Sequence, residues 1–415
     1  MAARAALSVP AFRSLWVAGL ISDTGDWLLL VALPIVVYQL TGSALGTSVA
    51  FAAELVPGIL LAPLGGRLAD TVDRRALMIA LTGLQAIALL PLLLVHDAQG
   101  LGILYGVIVA QASLTALFDP AKNAMLPTLV DPGRLVSANS LIGLGAALAR
   151  LAGGPLGGAL LAAGSLRTIV IADAVSFAVA GSLVARLPRA RARPAPASRR
   201  PRLSSGGLRA VVRHRPVAAA LLVALVADTA QGIFVVLFIV FVARRLHGGA
   251  TETGLLRGVQ AVGAIAGGLL LAARGDRWRP VALAAVAAIA FGIVDLTVWN
   301  GSFVTRSQVV YVLLFVCAGA PGVVMETAGI SFLQRATDDG ERGRVFAAVG
   351  LTENAGQALG IVAAGVLTAP LGLTALLDAQ AALYLLAGAL VILCARRARP
   401  SRVGRRSPVQ VAGTE

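Results

Sequence analysis

Apolar residues occur along this chain in long blocks, which are separated by short joints that are polar or carry arginine. The blocks run to about 18–25 residues, and a helix of that length crosses the hydrocarbon core of a bilayer because it rises about 1.5 Å per residue. The pattern therefore predicts an all-α membrane protein. The predicted spans lie near residues 15–38, 44–66, 77–95, 101–118, 137–162, 168–186, 217–243, 253–273, 280–299, 308–330, 345–368 and 373–395.

The composition excludes a water-soluble globular domain. Hydrophobic residues make up 58% of the chain and charged residues only 13%, whereas soluble domains carry about 25% charged residues. The first apolar block, from about Leu15 to Val37, is too long for the apolar core of a cleavable signal peptide. We expect it to remain as the first membrane helix.

The twelve predicted spans fall into two groups of six, which a polar segment separates. Ten arginines and four prolines lie between Arg186 and Arg215 inclusive, so this segment is too polar to pack in a core. The predicted organisation is an N-terminal half at 1–186, a cytoplasmic linker at 187–216, a C-terminal half at 217–396 and a cytoplasmic tail at 397–415.

The two halves repeat short strings in the same order. Ser22-Asp23-Thr24 in the first predicted helix resembles Ala227-Asp228-Thr229 in the seventh, and the segment Leu40–Ala44 resembles Leu246–Ala250. Weak internal symmetry of this kind is typical of transporters that are built from two halves around a binding site near the bilayer midplane.

Basic residues are concentrated at alternate joints. Twenty-nine of them lie on the side that carries both termini, whereas Arg167, Arg244, Arg245 and Arg306 lie on the other side. Because positively charged loops stay cytoplasmic, the sequence predicts a multi-pass protein of the bacterial inner membrane with both termini in the cytoplasm. Topology then explains the net charge of +15, and nucleic-acid binding is not expected. The Arg244–Arg245 pair is the exception, and a misplaced boundary of the seventh helix is the alternative.

The loop after the second predicted helix, Gly66-Arg67-Leu68-Ala69-Asp70-Thr71-Val72-Asp73-Arg74-Arg75, resembles the signature loop of the major facilitator superfamily. Thr71 and Asp73 replace a basic residue and a glycine of the family pattern. The strings Phe118-Asp119-Pro120-Ala121 and Arg134-Leu135-Val136-Ser137-Ala138-Asn139 resemble the exporter branch that holds siderophore-secretion and macrolide-efflux proteins. The resemblance covers nearly the whole chain. It implies the major facilitator fold, with two six-helix pseudo-repeats, and a role in efflux.

The resemblance also implies that the signature loop is a cytoplasmic latch, which forms in one access state and breaks in the other. Its aspartate is expected to pair with arginine or to accept hydrogen bonds from a helix N-terminus, and its first glycine to allow close helix approach. Its last two arginines are expected at the anionic membrane surface. Topology alone would explain the arginines but not the aspartate. The residues assigned to the latch are Gly66, Asp70, Arg74, Arg75, Arg342 and Arg344.

The string Gly153-Gly154-Pro155-Leu156-Gly157-Gly158 in the fifth predicted helix resembles the glycine–proline motif that is associated with antiporters in this superfamily. Gly154, Pro155 and Gly158 are the residues assigned to this motif. Glycines let helices pack closely, and a proline bends the helix. Plain helix packing is the alternative, because it produces similar strings.

Ionisable residues inside the predicted spans are the candidates for proton coupling. A charge in hydrocarbon costs about 2.5 kcal/mol or more, and such groups usually face a cavity. Asp23 and Asp26 are three residues apart, so they share a helix face and disfavour each other's ionisation. Glu54 is predicted at a similar depth and is expected to pack with them, and Asp228 and Glu353 are the other candidates. Structural hydrogen bonding is the alternative role.

Further polar residues are candidates for a substrate cavity. Arg150 lies too deep in the fifth helix to reach the cytoplasmic side, so we expect it to pair with a carboxylate or with an anionic substrate. Helix–helix hydrogen bonding is the alternative for the amides. Asp173, Asp378 and Glu252 lie near outer helix ends and are expected to be solvated or to cap helices. The predicted cavity residues are Arg150, Gln111, Asn139, Gln231, Asn354 and Gln357.

The function that these patterns predict is export of a small amphipathic or hydrophobic compound, such as a drug-like molecule, a natural product or a siderophore, by proton antiport. The sequence contains no phosphate-binding loop, and His96, His214 and His247 form no metal-ligand cluster. We expect no cofactor besides the proton gradient, no metal, no enzymatic activity and a monomer in the lipid bilayer. Proton-coupled uptake is the first alternative, and a polytopic membrane enzyme is the second.

The arginine asymmetry predicts that Ala195 in the linker and Val411 in the tail both face the cytoplasm. Single cysteines at these positions, in a background that carries Cys317→Ser and Cys394→Ser, should resist a membrane-impermeant thiol reagent in intact cells. The same cysteines should react in inverted vesicles. Rapid labelling of either one in intact cells would reject this topology.

Overall fold

A computed structural model describes residues 7–164, 166–189, 215–274, 278–337 and 341–397. The described residues form helices and no strand, and twelve of these helices are long and apolar enough to cross a membrane. The predicted all-α class is therefore confirmed. The helices are α1 (Pro10–Thr41), α2 (Ala44–Thr71), α3 (Arg74–Leu89), α4 (Leu101–Leu129), α5 (Leu135–Ala162), α6 (Leu166–Val184), α7 (Arg215–Arg244), α8 (Ala250–Arg274), α9 (Pro280–Gly301), α10 (Gln308–Ala336), α11 (Arg342–Leu371) and α12 (Leu373–Arg397).

Short connections join most consecutive helices within each half, and local chemistry sets where several of these helices end. Gly42 has a φ of 61°, a left-handed conformation that glycine adopts freely, and it ends α1. The Ser43 side chain then accepts hydrogen bonds from the first backbone N–H groups of α2. Asp73 caps α3 in the same way, through the N–H of Ala76. Asp73 stands where the signature loop has a glycine, so this departure from the pattern has a structural role.

The two halves are built alike around close contacts between glycine and a neighbouring backbone. A Cβ atom on Gly157 of α5 would lie 2.7 Å from the carbonyl oxygen of Leu28 in α1. A Cβ atom on Gly356 of α11 would likewise lie 2.7 Å from the carbonyl oxygen of Leu225 in α7. Small residues allow helices to approach this closely within a membrane. The pairs α1–α5 and α7–α11 are therefore equivalent, as the internal repeat predicts.

The halves meet through α5 and α8, and also through α2 and α11. At the first contact a Cβ atom on Gly154 would lie 3.2 Å from the carbonyl oxygen of Gly254, and one on Gly254 would lie 2.9 Å from the Cα of Gly158. Pro155 packs against Gly258. We call these five residues the glycine seam. It lies towards the end of α5 and the start of α8, on the side away from the termini, and it gives the antiporter-like motif a packing role.

Arginine contacts join the halves on the same side as the glycine seam. Arg244 at the end of α7 donates hydrogen bonds to the hydroxyl of Tyr38 (2.9 Å) and to the carbonyl of Gly42 (3.0 Å), both in the other half. The guanidinium carbon of Arg245 lies 4.8 Å from the ring centroid of Phe303. Helix α7 therefore ends where the sequence predicts, and the two arginines that depart from the charge asymmetry make structural contacts.

The two six-helix halves occupy residues 10–184 and 215–397. Most of the predicted linker at 187–216, and almost all of the predicted tail at 397–415, lies outside the described residues. The two positions chosen above for cysteine labelling lie there as well. The bounds of the linker and of the tail therefore stay predictions.

The glycine seam predicts that bulk at Gly158 disfavours closure of the side away from the termini. A Cβ atom there would meet the backbone of α8, and overpacking costs about 1–3 kcal/mol, which is about fivefold to a hundredfold in population. Gly158→Leu should therefore speed labelling of a Gln357→Cys probe from outside intact cells by about tenfold. The control is Gly143→Leu on the same helix, where a Cβ atom has nothing within 4 Å. Equal labelling rates in the two variants would contradict the seam.

Candidate functional site

A large cavity of about 1940 Å³ lies between the helices on the side that carries the termini. Arg215, Arg279 and Arg335 line its mouth at helix ends, and Arg257 lines its deep end. Helices α7–α12 form most of its wall, and Arg150 of α5 joins it from the other half. The cavity is therefore accessible from one side, while the glycine seam and the Arg244 contacts close the other.

Three carboxylates from three helices line this cavity: Asp228 from α7, Glu326 from α10 and Glu353 from α11. Asp228 experiences electrostatic repulsion from both of the others, and Glu353 experiences it from Glu326. Carboxylates that repel one another in a shared cavity favour binding of a proton or another cation. The structure thus brings together two of the predicted proton-coupling residues and adds Glu326, to which the sequence pattern assigned no role.

Two arginines lie in the same cavity, each over an aromatic ring. Arg150 lies 5.3 Å from the ring centroid of Trp27, and Arg257 lies 5.2 Å from that of Phe234. In the described part of the chain, neither guanidinium has a carboxylate oxygen within 4.0 Å. The Nε atom of Arg150 is buried without a hydrogen-bond partner. The expected pairing of Arg150 with a carboxylate is therefore not formed, and Arg257, which also lies inside a predicted span, was missed.

A smaller cavity of about 360 Å³ adjoins the large one, and Arg257 lines both. Glu54 lines the smaller cavity and is close enough to Arg257 for an attractive electrostatic interaction. Glu54 therefore does not pack with Asp23 and Asp26, which corrects the predicted grouping. The physical reason is that α2 turns this residue towards α8 rather than towards the charges of its own half. The predicted cavity residues found here are Gln231, Asn354 and Gln357.

A separate cluster of charges lies inside the N-terminal half. The Nζ atom of Lys122 lies 3.7 Å from a carboxylate oxygen of Asp23, and both side chains are largely buried. Asp26 interacts electrostatically with both of them and with Asp119 and Asp173. The sequence reasoning missed Lys122, although it is the only lysine of the chain and lies three residues after Asp119 of the exporter-like string.

Asp173 is fully buried, with 0% of its surface exposed, so the expectation that it is solvated was wrong. Ser176 donates a hydrogen bond of 3.0 Å to its carboxylate, and α1 passes against it at Gly25, which has no side chain to displace it. Glu252, by contrast, accepts a hydrogen bond of 2.7 Å from the N–H of Gly249 at the start of α8, so its capping role is confirmed.

Two predicted cavity residues lie elsewhere. Gln111 of α4 donates a hydrogen bond of 2.8 Å to the carbonyl of Gln85 in α3. Asn139 is exposed and donates a hydrogen bond of 2.9 Å to the carbonyl of Leu135, one turn back in its own helix. Neither residue lines either of the two described cavities. Helix–helix hydrogen bonding, the alternative stated above, therefore describes Gln111, whereas Asn139 hydrogen-bonds within its own helix.

The two arginines of the signature loop hold helix ends together. Arg74 donates hydrogen bonds to the carbonyls of Ala69 (3.1 Å) and Ala124 (3.0 Å), and Arg75 donates one to the carbonyl of Ala185. The carbonyls of Ala69 and Ala185 lie at the C-terminal ends of α2 and α6, where cations interact favourably with the helix dipole, and that of Ala124 lies in the C-terminal part of α4. Both arginines therefore have structural contacts, and their expected placement at the anionic membrane surface stays a prediction.

The glycine of the signature loop that permits close helix approach is Gly65 and not Gly66. A Cβ atom on Gly65 would lie 2.5 Å from the carbonyl oxygen of Ala116 in α4, whereas one on Gly66 would have nothing within 4 Å. Successive helical residues point about 100° apart, so only one glycine of the pair can face α4. The assignment of Gly66 is corrected accordingly.

The proposed partners of the latch lie at the start of α11. Arg344 forms an ion pair with Glu341 at 3.1 Å, and Arg342 donates a hydrogen bond of 3.1 Å to the carbonyl of Gln334 at the end of α10. Asp70 lies in the last turn of α2. The pairing of Asp70 with these arginines stays a prediction.

The model of the family described as transmembrane secretion effector matches residues 1–404. The chain belongs to this family, within the major facilitator superfamily. This secretion-effector chain is 31% identical over 170 residues to YfiS, an uncharacterized MFS-type transporter of Bacillus subtilis (strain 168). The match covers 41% of this chain and 40% of YfiS, so it spans about two fifths of the length of that curated relative.

Solved transporter structures share the fold of this secretion-effector chain. A bacterial homologue of the human lysosomal transporter Spinster, inward-facing and unoccupied, is 16% identical with a TM-score of 0.68, over 93% of this chain and 96% of that one. An inward-facing bacterial homologue of the iron transporter ferroportin is 19% identical with a TM-score of 0.68, over 92% and 98%. A POT family transporter in complex with a thioalcohol conjugated peptide is 12% identical with a TM-score of 0.73, over 93% and 96%. At these identities the likeness shows the fold alone.

The charge cluster of the N-terminal half predicts that Lys122→Gln destabilises the protein, because it removes the cation nearest to Asp23, Asp26 and Asp119. Combining it with Asp23→Asn should restore part of the loss, with a coupling energy of roughly 1 kcal/mol. Thermal unfolding of the purified variants measures both effects, and the exposed Arg13→Gln is the matched control. If the double variant loses the sum of the two single losses, the pair does not stabilise the fold.

Proposed function

We propose that this protein is a secondary active transporter that exports a small amphipathic or hydrophobic compound in exchange for protons. One observation carries the proposal: a cavity of about 1940 Å³, lined by three carboxylates, opens on the side that the arginine asymmetry predicts to be cytoplasmic. The glycine seam closes the opposite side. This arrangement corresponds to one of the two states that alternating access requires, and rocking of the two halves would produce the other.

The family description and the exporter-like strings support export over uptake. The same fold serves proteins named for iron and for peptide ligands, so the fold by itself sets neither the direction nor the substrate. Drug-like molecules, natural products and siderophores are the substrate classes that we propose. Proton-coupled uptake is the second candidate, because it needs the same cavity.

Proton coupling is assigned first to the carboxylates of the large cavity. Asp228, Glu326 and Glu353 repel one another, and Arg150 and Arg257 face them from α5 and α8. In an antiporter the substrate and the proton favour opposite protonation states of the site. Substrate addition should therefore release protons from the purified protein, and substrate affinity should rise with pH.

The latch is part of the proposal. Asp70 lies at the end of α2, and Arg342 and Arg344 lie at the start of α11, a helix that packs against α2. Closing the large cavity would bring these helix ends nearer to each other. An aspartate–arginine pair formed there would stabilise the state in which the cavity is closed to the cytoplasm.

Gradient-driven transport in inverted vesicles tests the proposal. The cytoplasmic side of such vesicles faces the medium, so an exporter accumulates its substrate in the lumen when the lumen is acidic. A panel of drug-like compounds, natural products and siderophores should contain at least one compound that accumulates against its own gradient, and a protonophore should abolish the effect. Accumulation that does not depend on the pH gradient would reject proton antiport. Substrate flux in the opposite direction would favour uptake.

Four variants locate the coupling carboxyl: Asp26→Asn, Glu54→Gln, Asp228→Asn and Glu353→Gln. Neutralising the group that carries the proton should lower gradient-driven accumulation by about tenfold or more and spare substrate binding, because the lost step is proton loading. Asp131→Asn is the matched control, since that side chain is 79% exposed. Full accumulation in all four variants would exclude these carboxyls as proton carriers.

A further inference from the structure

The large cavity carries opposite charges on different helices. Arg150 and Arg257 come from α5 and α8, which pack together at the glycine seam, whereas Asp228, Glu326 and Glu353 come from α7, α10 and α11. Among the residues that the structure describes, no ion pair within 4.0 Å joins the two sets. Glu326 attracts Arg150 electrostatically but makes no direct ion pair with it, which leaves room for a ligand between the basic and the acidic groups.

Neither set of charges is fully neutralised, because Glu54 attracts Arg257 and Glu326 attracts Arg150 without an ion pair within 4.0 Å. The two guanidinium groups repel each other, and each has one face over an aromatic ring, which leaves its N–H edge for a ligand. The buried Nε of Arg150 has no hydrogen-bond partner. A guanidinium edge binds an oxyanion through two parallel hydrogen bonds. The three carboxylates also repel one another, and an ammonium group would neutralise them.

We propose that the transported compound is an amphipathic zwitterion, whose oxyanion binds Arg150 and Arg257 and whose ammonium group binds the carboxylates of Asp228, Glu326 and Glu353. This inference rests on the proposed function and narrows its substrate class. Alanine and phenylalanine side chains form much of the remaining wall and would contact an apolar body. The assignment also gives antiport a chemical basis, because a proton and an ammonium group compete for the same carboxylates.

A set of matched dansyl probes tests the charge requirement. Nε-dansyl-lysine carries an amine and a carboxylate, 6-(dansylamino)hexanoate carries only the carboxylate, dansylcadaverine carries only the amine, and N-pentyl dansylamide carries neither. Energy transfer from tryptophan reports binding to the full-length protein in nanodiscs, since Trp27 lies beside Arg150. The zwitterion should bind about tenfold more tightly than either singly charged probe. Equal affinities for the zwitterion and the neutral probe would overturn the inference.

Two substitutions assign the charges to their sites. Arg150→Gln should weaken binding of the two probes that carry a carboxylate by about tenfold and leave binding of dansylcadaverine unchanged. Glu326→Gln should instead weaken binding of the two probes that carry an amine. Arg150→Lys keeps the charge, so it should retain most of the preference for probes that carry a carboxylate. This variant therefore separates a role of Arg150 in recognition from a role in folding. Arg306→Gln, an exposed arginine on the other side of the protein, is the control. A uniform loss for all probes in Arg150→Gln would overturn the assignment.

Transport of the same probes separates this inference from the proposed function. If the zwitterion binds as expected but no probe accumulates in inverted vesicles under a pH gradient, export by proton antiport fails and the zwitterion site stands. If the neutral or cationic probe accumulates as well as the zwitterion, antiport stands and zwitterion recognition fails.

Discussion

The free energy needed to carry a charge into a bilayer, about 2.5 kcal/mol or more, constrains every part of this protein. The N-terminal half offsets this cost internally, because Lys122 lies beside Asp23 in a buried cluster. The C-terminal half reduces the same cost, because Asp228 and its neighbouring carboxylates line a large cavity rather than facing lipid. Arg150 belongs to the first half but projects into that cavity. The charges therefore divide into a set that lies inside one half and a set that faces the large cavity.

Glycine contacts determine how the two halves can move. Between α5 and α8 the backbones approach so closely that side chains at Gly154 and Gly158 would collide with the partner helix. At this seam few side chains lie between the two backbones, so the rocking motion proposed above would separate little side-chain packing there. The contacts of Arg244 with Tyr38 and Gly42 then close the same side with a few polar bonds.

The helices could be predicted because, inside a bilayer, backbone hydrogen bonds must be made within the helix, so apolar length alone indicates a span. The rotation of each helix about its axis could not be predicted. It decides that Glu54 faces Arg257 rather than Asp26, and that Asp173 is buried against α1 rather than solvated. These rotations depend on contacts between residues far apart in the sequence, such as that of Gly25 with Asp173. A pattern along one helix carries no information about them.

Arg257 lines both the large and the small cavity, so a fixed positive charge lies in the partition between them. A transporter in an energised membrane must not let ions leak across when no substrate is being moved. A guanidinium between the two cavities raises the electrostatic barrier for hydronium and sodium, as arginine does in selective pores. We therefore expect the same residue to limit the leak of ions through the resting protein.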